Sequence, residues 1–116
     1  MAKSLPVAGA MRLYTNGVVP WPFKVVTKEN AEGWLWQGYV FDRAAPTVPV
    51  LTFTILWDGA NKIGNVLWTP GDVALALAGA DEKELEFVIL TTTDTGIPVP
   101  FYSGPAVLVQ GGPVWV

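Results

Sequence analysis

Alternation of apolar and polar positions is clearest in the middle of the chain. The stretch 34–42, WLWQGYVFD, places Leu35, Gln37, Tyr39 and Phe41 on one strand face and Trp34, Trp36 and Val40 on the other. Both faces are largely apolar. The stretch 49–57 alternates Leu51, Phe53, Ile55 and Trp57 with Val50, Thr52, Thr54 and Leu56, which predicts one core face and one partly polar face. Asp58-Gly59-Ala60-Asn61 reads as a hairpin loop into a further strand at 62–68. Leu85, Phe87 and Ile89 mark one side of a strand over 85–93, Asp94-Thr95-Gly96 turns the chain, and 106–110 is the last clear strand.

The first third is more broken. MRLYT at 11–15 predicts a short strand, and Asn16-Gly17 is the preferred pair for a type I′ hairpin turn. Val18-Val19-Pro20-Trp21-Pro22 predicts an edge or irregular crossing, because two prolines remove ladder donors. A second short strand at 23–27 and a polar connection at 28–33 follow.

The segment 69–79 supports two readings. Thr69-Pro70-Gly71-Asp72 resembles a helix start, with a capping hydroxyl, a proline at the first helical position and an early acid, and Gly79 would close the helix. Val73, Leu75 and Leu77 alternate with alanines at period two, as a strand would. The expectation here is a strand or irregular segment, with the helix as the alternative.

These elements predict an all-β fold, a single β-sandwich or small barrel of about seven to eight short antiparallel strands with turn signals about every ten residues. The expected organisation is an N-terminal arm at 1–10, the β domain at 11–110 and an apolar C-terminal tail at 111–116. At 116 residues the chain buries roughly two thirds of its unfolded surface.

Composition adds one fact to the pattern. Hydrophobic residues make up 51% and charged residues only 15%, against about 25% charged in a typical soluble domain. With a mean hydropathy of +0.37, the chain has more apolar area than one small core hides. Such excess marks interfaces, so contacts with copies of itself or with another protein are expected.

The absences are equally informative. Without cysteine or histidine there are no disulfides, no thiol nucleophiles, no Cys- or His-based zinc sites and no histidine triads. A net charge of −3 argues against nucleic acid as a partner. The uncharged stretch 95–116 is long enough to span a bilayer, but Pro98, Pro100, Pro105 and Pro113 break the backbone hydrogen bonding a lipid-exposed helix needs. The apolar run after Lys3 is too short for a signal peptide. Neither a membrane nor a secretory route is expected.

Candidate chemistry is sparse. The run DEKELE at 81–86 reads as a solvated loop and edge between strands, and Asp58 and Asp94 as turn residues that bond their own backbone. No nucleophile elbow, phosphate loop or dinucleotide fingerprint is present, and Asp58-Gly59-Ala60-Asn61 does not fit a calcium loop. No enzyme, metal or cofactor is expected. The six tryptophans stand out. Trp57 and Trp68, flanked by strand patterns, read as core. Trp34 and Trp36, with Tyr39, are candidates for a sugar-stacking platform, and core packing or a protein interface stays open for the two tryptophans. Trp21, between prolines, and Trp115, with Val114 and Val116 in the tail, read as anchors inserted into a neighbour.

The hairpin WDGANKIGNV, the segment SGPAVLV and the apolar tail give the chain its family likeness. It resembles the small β-sandwich structural modules of tailed-phage virions, the capsid decoration or cement proteins and the attachment domains of baseplate or fibre proteins. The resemblance implies a non-catalytic subunit, located in the virion, that binds itself and a capsid or tail protein through β-edges and arms. A carbohydrate-binding module using the tryptophan platform is the alternative.

Overall fold

β4 (Pro49–Asp58) sets the shape of the molecule, a computed structural model that describes residues 11–18, 20–93 and 96–112. The first half of β4 pairs antiparallel with β3 (Leu35–Phe41), Gly38 facing Phe53 and Val40 facing Leu51. Its second half pairs with β5 (Ile63–Leu67), Ile55 facing Val66 and Asp58 facing Ile63. A strand that passes from one partner to the next lets a sheet turn a corner. With β1 (Met11–Tyr14), β2 (Trp21–Lys24), β6 (Glu82–Thr92) and β7 (Pro98–Val109), the result is one seven-stranded sheet in the order β1-β7-β6-β3-β4-β5-β2. The sheet is nearly closed into a barrel, so the all-β expectation holds.

Contacts between strands far apart in the sheet record the closure. The Trp21 ring of β2 meets Phe87 of β6 edge-on at 5.3 Å, and the Tyr102 hydroxyl of β7 donates to the Lys24 carbonyl at 2.6 Å. Alternation along β6 and β7 sends Leu85, Phe87, Ile89, Ala106 and Leu108 inward, where they join Met11, Leu13, Val40 and Val66 in the core.

Three expectations are corrected. First, Asn16-Gly17 does not close a hairpin. β1 runs parallel to β7, Met11 facing Ala106 and Tyr14 facing Val109, whereas β2 pairs with β5. Pro20 and Pro22 cannot supply the donors a returning ladder needs, and the Asn16 amide instead donates to the Gly111 carbonyl at 3.0 Å.

Second, 69–79 holds a helix, α1 (Pro70–Leu77), rather than a strand. Proline sits in its first turn with Asp72, and Ala78 and Gly79 close it in left-handed conformations. Val73 and Leu77, one helical turn apart, are buried, while Leu75 is 80% exposed. The period-two reading would have sent all three the same way.

Third, most of DEKELE belongs to β6 rather than to a loop. Glu82, Glu84 and Glu86 face Val109, Val107 and Pro105 of β7. The expected edge character survives, since β3 joins β6 only from Glu86 onward. The hairpin at Asp58-Gly59-Ala60-Asn61 forms as expected between β4 and β5. No helix among the described residues is long and apolar enough to cross a membrane.

Candidate functional site

Aromatic rings gather where β2, β3, β4 and β7 come together. Phe23 lies at the centre, with Trp36 at 5.0 Å, Tyr102 at 5.5 Å and Trp57 stacked at 6.5 Å. Trp36 is further enclosed by Trp57 at 4.9 Å, Phe101 at 5.2 Å and Trp34 at 6.2 Å. Edge-on and tilted pairs at these distances are the favoured aromatic geometries. The Trp57 indole donates to the Ala31 carbonyl at 2.9 Å, and the buried Trp36 indole nitrogen has no hydrogen-bond partner among the described residues. Trp68 is buried, and its indole donates to the Tyr14 carbonyl.

The residues expected to form a sugar platform do not share one surface. Trp34 and Trp36 are inclined by 47°, so a ring lying flat on one is not flat on the other. Tyr39 belongs to the opposite face of β3, where its hydroxyl donates to the Pro46 carbonyl at 3.3 Å. Trp36 and Tyr39 both border a cleft of about 510 Å³ at the place where β3 and β4 part, together with Gln37, Thr52 and Thr54. Trp34 lines a different cavity of about 600 Å³ with Glu29, Asn30, Gly33 and Thr93.

Among the expected anchors, Trp21 is half-buried and packs on Phe87 and Phe23, so part of its ring contacts the chain's own core. Val114, Trp115 and Val116 lie outside the described residues.

The outer face of the sheet offers a different surface. Leu35, Tyr39 and Phe41 of β3 point outward, as do Val88 and Leu90 of β6, with Tyr39 facing Val88 and Gln37 facing Leu90 across the ladder. Leu35 is 69% exposed. Charge appears at the far end of this face, where Arg43 donates to Glu86 at 2.9 Å, and Glu84 and Glu82 continue the row. Alternation in the sequence already predicted the β3 part of this face.

Two features had no local signal. One is the apolar patch of Leu75 from α1 beside Val50 of β4, which fold together from segments 25 residues apart. The other is the meeting of Thr93 with Glu29 and Asn30, more than 60 residues away in the chain.

Two titrating groups are displaced from their ordinary values. Asp58 accepts from the Asn61 side-chain amide at 2.8 Å and from the Asn61 backbone at 3.2 Å, and these bonds hold its carboxyl below the usual range. Burial pushes the Tyr102 hydroxyl up. Among the described residues no group of acids is arranged to hold a metal ion.

No protein-family profile matches the chain, and no curated protein matches it by sequence.

Proposed function

We propose that this chain is a non-catalytic structural subunit of a virion, a capsid decoration or tail-attachment protein. It binds neighbouring subunits through the outer face of β3 and β6. The observation that carries the reading is the uncharged row of Leu35, Tyr39, Phe41, Val88 and Leu90 on a strand face turned away from the core. A protein with so little charge gains by covering such a surface. The likeness of its hairpin and Gly-Pro segment to tailed-phage modules supports the setting.

The mechanism is additive contact. Each copy buries apolar surface at about 25 cal/mol per Å², from which the costs of association are subtracted. Repetition on a symmetric particle then converts modest single contacts into lasting attachment. The segment 111–116, with Val114, Trp115 and Val116, supplies a second contact in this reading.

Light scattering at low micromolar concentration tests the proposal. The expected result is a stable trimer or larger species that Leu35→Glu combined with Leu90→Lys converts to monomer without lowering the melting temperature. A wild-type monomer, or an oligomer indifferent to both charges, would count against this face as the contact.

A further inference from the structure

The cavity beside Trp34 has a chemistry that assembly does not use. Its walls come from the 28–33 connection, from Trp34 just before β3, and from Thr93 just after β6. Its volume of about 600 Å³ falls within the range of small-molecule sites, roughly 300–1,000 Å³. Trp34 is half-buried, one side of its ring region backed by Trp36.

The polar groups around it are positioned by the turn itself. The Asn30 side-chain oxygen accepts from the Glu32 amide at 3.1 Å, which orients the side chain and leaves its amide nitrogen as a donor without a partner among the described residues. The Glu29 amide donates to the Thr27 hydroxyl at 3.1 Å, while its carboxylate makes no hydrogen bond or ion pair among the described residues. Thr93 completes the described part of the wall.

This combination selects its ligand class. Among the described residues that line the cavity there is no lysine or arginine, so an anion finds no counter-charge from them. Among the described residues Trp34 is its one large apolar wall, which is too little for a lipid tail or an apolar peptide side chain. An indole beside a carboxylate and an amide suits a neutral molecule with an apolar C–H face and several hydroxyls on its rim. A pyranose ring has that form: its C–H face stacks on indole, its hydroxyls donate to a carboxylate in charge-assisted bonds and accept from an amide.

We infer that the cavity formed by Glu29, Asn30, Gly33, Trp34 and Thr93 binds a neutral sugar ring, with Trp34 as the stacking surface. The site differs from a Trp34–Trp36–Tyr39 platform, since Trp36 is enclosed by this chain's own rings and Tyr39 faces the other way. It is also independent of the outer face of β3 and β6.

The test is a titration of the ¹⁵N-labelled full chain with three neutral hexasaccharides, an α-1,4-glucan, a β-1,4-glucan and a β-1,4-linked N-acetylglucosamine oligomer. Binding by at least one should shift the Trp34 indole resonance and the amides of Asn30 and Gly33. Gly33→Phe is the informative variant, because a Cβ at Gly33 meets nothing within 4 Å and the ring projects from an open site. It should weaken binding about tenfold or more, a difference of 1.4 kcal/mol, with an unchanged melting temperature. Trp34→Ala should weaken binding likewise. No shift with any of the three at millimolar concentration, or binding that persists in Gly33→Phe, would overturn the inference.

Discussion

The indole nitrogen of Trp68 donates to the backbone carbonyl of Tyr14 at 3.0 Å, and their rings lie 6.3 Å apart. The bond joins the exit of β5, the strand next to one end of the sheet order, to β1 at the other end. It thus crosses the seam at which the sheet nearly closes. Trp68→Phe keeps most of the buried volume and removes the donor. The expected loss is about 1–3 kcal/mol, the range for leaving a buried acceptor unsatisfied, read from urea unfolding. A loss below a few tenths would show that the seam is held by packing alone.

Gly38 and Gly64 both lie under aromatic rings. A Cβ at Gly38 would come within 2.2 Å of the Phe53 ring and 2.8 Å of the Val88 carbonyl oxygen, and one at Gly64 within 2.2 Å of the Phe23 ring. Gly38→Ala should therefore destabilise by about 1–3 kcal/mol through overpacking, because a backbone oxygen cannot step aside. Gly71→Ala, with nothing within 4 Å, serves as the control and should be nearly neutral or better. Thermal unfolding of the pair separates crowding from a general intolerance of alanine.

Ala78 closes α1 with φ 51° and ψ 40°, a left-handed conformation that costs an L side chain energy and glycine little. Ala78→Gly should raise stability by about 1 kcal/mol, measured by chemical denaturation. An unchanged midpoint would mean that the greater entropy of the unfolded glycine chain offsets the relief.

Stability should depend on pH at both extremes, with opposite signs. The Asp58 carboxyl is lowered first by the Asn61 side-chain amide, so its contribution is present above the ordinary carboxylate value. It is lost as pH falls through the lowered value. Asn61→Ala should move the Asp58 carboxyl back toward its ordinary range in an NMR titration. Tyr102 is raised by burial, so its contribution is present below the ordinary phenol value and lost as pH rises through the raised one. Ultraviolet titration should show a tyrosine that ionises later than in the unfolded chain, and Tyr102→Phe should remove that late step.

Removing the tail tests assembly apart from folding, provided the cut is placed correctly. Gly111 is bound into the domain, its amide donating to the Thr15 hydroxyl at 2.7 Å and its carbonyl accepting from Asn16. A truncation that removes 113–116 and spares Gly111 should weaken assembly in light scattering and leave the melting temperature in place. Unchanged assembly would remove Val114, Trp115 and Val116 from the contact.

The parts of the fold that sequence reveals are those governed by neighbours a few residues away. WLWQGYVF and PVLTFTILW alternate because their strands have one inner and one outer face, and Asp58-Gly59-Ala60-Asn61 closes its hairpin locally. In α1, Val73, Leu75 and Leu77 satisfy period two, while Val73 and Leu77 also satisfy a helical turn. Eight residues are too few for the pattern alone to separate the two. The proline and acid at the start of the segment carried the correct signal. Asn16-Gly17 misled because a turn preference acts only if both flanking strands can pair, and Pro20 and Pro22 deny that. The Trp34 cavity was half legible: Asn30 stands near Trp34 in sequence, but Thr93 reaches it only through the pairing of Leu35 with Thr92.

The parallel pairing of β1 with β7 also imposes an order of events. Among the described residues β1 has no ladder partner except β7, and nearly a hundred residues separate Met11 from Ala106. Closing so long a loop carries an entropic cost that must be met before the contact is rewarded, which slows folding. During synthesis Met11 and Leu13 emerge early and stay exposed until Ala106 and Leu108 follow. Of the seven described strands, the first to be made must wait for the last.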